Sequence, residues 1–165
     1  MARSRVISAS FTRPNNTDAY TAGDVVCNST SAPTVMHFEE SVRVVGGSGV
    51  ITKASILDYA NQGTKLECEL WLFTDDPAAV NDNAAFAPSD AELANLIGVI
   101  PIVDDYVGLS GSGASGSVVI QSAIVDLPFQ AATATSTIYG VLVARNAYTP
   151  IAQEPITVRI HVIQD

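Results

Sequence analysis

The chain has 165 residues, 8 Lys+Arg against 17 Asp+Glu, and a formal charge of −9, with 47% hydrophobic and 15% charged residues. Such a composition excludes a disordered chain, and its length supports one core, with about two-thirds of the unfolded surface buried. So acidic a chain repels phosphate backbones and anionic membrane surfaces, which argues against nucleic-acid and membrane partners.

Residues 1–20 read as an N-terminal arm or edge segment, and residues 21–165 as a single β-sandwich domain. The opening has basic residues but no apolar stretch of signal-peptide type, and no run of 18 apolar residues occurs anywhere. Residues 4–12 suit a first edge strand or an arm. Pro14-Asn15-Asn16 marks a turn. Asp24 to Cys27 and Thr34 to Glu39 read as short strands. Val42 to Leu57 reads as one hairpin across Gly46-Gly47-Ser48-Gly49, with a long strand over Val50 to Tyr59.

Leu66 to Thr74 is the clearest strand. Leu66, Cys68, Leu70 and Leu72 share one face; Glu67, Glu69, Trp71 and Phe73 share the other. Period-2 alternation places the first set in a core. The second face turns from acidic to aromatic, so its C-terminal half requires a cover. The 75–88 stretch is a loop. Ser89 and Glu92 then form a capping box that predicts a short helix over 90–97.

Val99 to Val103 reads as an edge or bulged strand because Pro101 interrupts it. Gly108 to Gly116 reads as a mobile loop. Ser117 to Val125 reads as a strand. Thr137 to Arg145 is nearly continuous apolar and suits a central strand covered on both faces. Pro155 to Ile163 alternates, with Ile156, Val158, Ile160 and Val162 inward. No helix of crossover length separates the strands. The expected fold is therefore all-β: an antiparallel two-sheet sandwich, jelly-roll-like, with one short helix.

Catalytic signals are weak. His37 and His161 lie within strands and lack a partner motif. The glycine-serine run at 110–116 has no lysine and opens no helix, so it is no phosphate loop. Asp75, Asp76, Asp82 and Asp90 cluster along one stretch, without calcium-loop spacing, and read as turn-forming carboxylates. Cys27 and Cys68 form no CxxC pair and read as buried thiols. The expectation is no enzymatic activity, no metal and no cofactor. Trp71, Phe73, Tyr106 and Tyr139 would be the residues of a sugar-stacking platform.

Two blocks carry a resemblance. Phe11-Thr12-Arg13-Pro14-Asn15-Asn16-Thr17-Asp18-Ala19-Tyr20-Thr21-Ala22-Gly23-Asp24-Val25-Val26 resembles an opening that recurs in small virion proteins of tailed bacteriophages. Leu70-Trp71-Leu72-Phe73-Thr74-Asp75-Asp76-Pro77, with Asn81 to Phe86, Ser89-Asp90 and Leu96-Ile97-Gly98, resembles the middle of the same proteins. The resemblance implies a capsid decoration (cement) protein. Such a protein is made in the host cytoplasm and sits on the virion, outside the major capsid protein shell. It would self-associate as a homo-oligomer there. The resemblance supplies no catalytic residues. The alternatives are a carbohydrate or host-surface binding module, and a head–tail or tail component. The expected docking residues are Arg3, Arg5 and Arg13 of the basic N-terminal segment, with Trp71 and Phe73 opposite the core-facing leucines.

Overall fold

The structure is a computed structural model that describes residues 2–60, 62–106 and 118–165. Ten strands and one short helix follow in order. They are β1 (Arg3–Thr12), β2 (Met36–Phe38), β3 (Ser48–Asp58), β4 (Cys68–Phe73), α1 (Asp90–Leu93) and β5 (Leu96–Ile102). Then come β6 (Asp104–Tyr106), β7 (Val118–Gln121), β8 (Leu127–Gln130), β9 (Ile138–Ala144) and β10 (Pro155–Gln164). One sheet has the order β1-β10-β3-β7-β6, with β8 also on β3; the other runs β2-β9-β4-β5. Every pairing is antiparallel.

The pairs are nested: β1 with β10, β2 with β9, β3 with β7 and β8, and β4 with β5. A long hairpin rolled over on itself produces this nesting, which is the jelly roll that the strand pattern predicts. The inner faces meet in one core that includes Ile51, Ile56, Leu70, Leu72, Leu142, Ile156, Val158 and Ile160. β4 and β10 alternate along the chain, so each sheet has an apolar face and the sheets must stack to bury it.

Several boundaries differ from the sequence reading. The helix stops after one turn, because Leu96 and Ile97 are drawn into β5 against β4. The capping box at Ser89 and Glu92 is present. Residues 42–47 form no hairpin arm. Gly46 adopts φ +70°, Gly47 N–H donates to Val44 O at 2.9 Å, and Gly46 N–H donates to Thr135 O at 2.9 Å. That turn ends before β3 begins at Ser48. Asp24 and Val25 make only isolated bridges, to Ala85 and Val143. The strand expected over 117–125 is shorter, and a second one, β8, follows the Ser122 turn and includes Pro128. The Gly108–Gly116 loop lies outside the described residues.

The outer face of the four-stranded sheet is covered as well. Phe73, Val141 and Val143 pack there beneath Val25 and Cys27, flanked by Trp71, Val80 and Phe86. The chain folds 23–27 and 79–86 over its own sheet. This gives β9 its near-continuous burial, as expected for a strand covered on both faces.

Candidate functional site

The five expected docking residues divide into two groups. Arg3, Arg5 and Trp71 retain contact with solvent. Arg13 and Phe73 are buried, at 2% and 0% exposure, and offer no docking surface on this chain. Phe73 lies on the outer face as its parity requires, but the 23–27 segment and its neighbours seal it. Trp71 leans edge-on against Phe86, ring centroids 5.3 Å apart, and its Nε1–H donates to Glu69 Oε2 at 3.2 Å. Of the expected aromatic platform, Tyr139 packs edge-on against His37 and Tyr106 ends β6, where only the backbone is described.

Arg13 is a structural cation. Its Nη2 lies 3.0 Å from Asp82 Oδ2, its Nη1–H donates to Ile151 O at 3.3 Å, and its Nε–H donates to the Tyr20 hydroxyl. The guanidinium also sits 4.7 Å from the Tyr20 ring centroid. Tyr20 donates its hydroxyl proton to Asp82 Oδ1 at 2.6 Å, and Cys27 N–H donates to the same oxygen at 2.9 Å. Burial and the adjacent carboxylate raise the Tyr20 hydroxyl above its ordinary range. A buried charge pair needs such extra hydrogen bonds to offset desolvation.

A second polar group adjoins the first. Tyr20 stacks on Tyr148 with centroids 6.4 Å apart, and its N–H donates to Tyr148 O at 2.9 Å. The Tyr148 hydroxyl lies 2.6 Å from Glu154 Oε1 and 3.2 Å from Asp58 Oδ2. Ala60 N–H donates to Asp58 at 2.7 Å, and Ile151 N–H donates to Glu154 at 3.1 Å. Both carboxyls are fully buried and converge on the Tyr148 hydroxyl. Burial, then the Asp58 neighbour, pushes Glu154 up to about 8.

Sequence reasoning placed Asp82 among solvated loop carboxylates, and it read nothing into Asp58, Tyr148 or Glu154. The available signal was local. Asp58 follows Ser55-Ile56-Leu57 within a strand, where an isolated carboxylate demands a partner.

Among the described residues, no group of three or more His, Cys, Asp or Glu could hold a metal ion. Cys27 and Cys68 are free and buried, and burial raises both thiols.

One surface feature remains. A groove of about 620 Å³ runs beside Ala9, Ser10 and Phe11 of β1. Its walls include Val35, Met36 and Val80, and its polar groups include His37 and Asp76. His37 Nε2 lies 3.9 Å from Asp76 Oδ2. A smaller recess of about 370 Å³ continues along Arg5–Ser8, bordered by His37, Glu39 and Glu40. β1 and β2 are both terminal in their sheets, so the free edges of the two layers meet along this channel. None of Arg13, Tyr20, Asp58, Asp82, Tyr148 and Glu154 lines it.

The fold and this edge define a two-sheet jelly-roll sandwich with an open side. No family model matches the chain, and no curated protein matches it. Among solved structures, it aligns with a chain of the "Acidic stable capsid structure of Helicobacter pylori bacteriophage KHP30". The alignment covers 99% of this chain and 93% of that one, at 13% identity and a TM-score of 0.33.

Proposed function

We propose that this is a structural virion protein of the capsid decoration type, which binds the outside of a major capsid protein shell and stabilises it without catalysis. The observation that carries the reading is where the two resembling sequence blocks fall. Residues 11–26 and the resembling stretch 81–86 are far apart in sequence yet adjoin in the fold. Arg13 and Tyr20 bind Asp82, Asn83 N–H donates to Val25 O at 2.9 Å, Val25 N–H donates to Ala84 O at 2.9 Å, and Phe86 N–H donates to Gly23 O at 2.9 Å. Two of the resembling stretches thus meet in one folded substructure, which supports the reading.

The physical form supports the same role. A sandwich whose four-stranded sheet is covered on both faces resists deformation, an acidic exterior keeps the free protein soluble, and an open sheet edge gives a neighbour something to hold. The test is rebinding to particles that lack the protein. Added protein should saturate them at a fixed copy number and raise the temperature at which the shells open. Failure to bind, with the protein folded, contradicts the proposal.

A further inference from the structure

We infer that β1 is a self-pairing edge, on which a second copy of this chain adds its own β1 antiparallel across a two-fold axis at Ser8. The biological use of this pairing rests on the assembly role proposed above; the pairing itself does not.

β1 bonds to β10 along its whole length, Arg3–Thr12, and is terminal in its sheet. In an antiparallel ladder, alternate residues direct N–H and C=O away from the partner strand. Among the described residues, β1 therefore presents a row of unpaired groups along roughly 30 Å, a template for another strand. Pro14 follows the strand, but none lies within it to block pairing, and lysine, the usual edge guard, is absent from it too.

Register follows from facing. Residues paired directly across an antiparallel ladder share a face. Ile7 is buried and Ala9 and Phe11 are half-buried, so odd residues face inward. A two-fold axis at Ser8 keeps inward residues together: Ile7 meets Ala9, and Arg5 meets Phe11 of the second copy. Val6, 52% exposed, then gains a neighbour in Ser10 of the second copy.

Charge selects the occupant. Arg3 and Arg5 lie at one end of β1. At the other end, Asp76 lines the groove shared with Ser10 and Phe11, and its side chain is 53% exposed. Antiparallel pairing carries the Arg5 of each copy toward the Asp76 of the other, twice per dimer. Arg5 already contacts its own Glu40 at 2.5 Å, so each guanidinium would sit between two carboxylates. Two chains of charge −9 repel, and this register sets a cation against a carboxylate at each end of the seam. A two-fold axis makes such an interface self-complementary.

The test is sedimentation equilibrium of the full chain from roughly 1 µM to 1 mM, spanning weak to moderate affinity. The parent should approach twice 17.2 kDa as concentration rises. Arg5→Glu and Asp76→Arg should each weaken the dimer by about tenfold or more, and the double variant should recover most of the loss. Hydrogen exchange on the parent supplies a readout that needs no variant: β1 amides should gain protection with concentration. A 17.2 kDa species throughout overturns the inference. So does a dimer indifferent to both charge reversals, or one whose β1 amides gain no protection. Because the experiment uses free protein, its failure leaves particle binding to be judged by rebinding.

Discussion

Arg13 is held by a carboxylate, a hydroxyl, a carbonyl and an aromatic face. Arg13→Ala would leave Asp82 buried with its charge uncompensated, so it should cost about 3–5 kcal/mol in chemical denaturation. A loss below about 0.5 kcal/mol would show that the pair is solvated in solution. The Asp58–Glu154 pair makes a different demand. Glu154 titrates at about 8 when folded and near its ordinary 4.5 when unfolded. A raised folded value means the folded state binds the proton more tightly. Its stabilising contribution is then full below about 4.5 and is lost as pH climbs through about 8. Melting temperature should fall across that window, and Glu154→Gln, which keeps a neutral donor toward Asp58, should flatten the fall. A parent curve already flat from pH 5 to about 9 would contradict the raised Glu154 value. None of these partners was legible from composition. A basic residue among polar neighbours reads as surface, and only the fold brings Asp82 to Arg13.

At the scale of elements, alternation was the reliable signal. β4 and β10 fall where the period-2 pattern puts them, because a one-residue slip would turn Leu70 and Leu72 of β4, and Ile156, Val158 and Ile160 of β10, out of the core. Leu70→Ala should therefore cost about 2–5 kcal/mol. Gly140 adds a tighter test. A Cβ there would lie 2.7 Å from Phe38 Cε2 and 3.2 Å from Leu70 Cδ1, between β2 and β4 in the buried core. Gly140→Ala should cost about 1–3 kcal/mol by overpacking, measured as a shift in denaturation midpoint. An unchanged midpoint would mean β2 has freedom to retreat. Local signals failed where tertiary pairing competes with them. The capping box starts a helix at Asp90, but β4 captures Leu96 and Ile97 for β5 within two turns. The aromatic face of β4 correctly called for a cover, and residues 23–27 and 79–86 of the same chain provide it. Apolar patterning shows that a face must be buried; it does not show against which molecule.

At the scale of the whole molecule, the edge strands β1 and β2 of the two sheets lie along two adjoining recesses. An isolated protein usually guards such an edge, whereas a component of a larger assembly can use it for a neighbour. The proposed role turns on whether the protein belongs to the particle surface. The most direct measurement is quantitative mass spectrometry of purified virions, before and after brief surface proteolysis. The decoration role predicts a fixed ratio to the major capsid protein across preparations, and cleavage of this chain while the shell protein stays intact. Absence from purified virions, or full protection behind an intact shell, would contradict it.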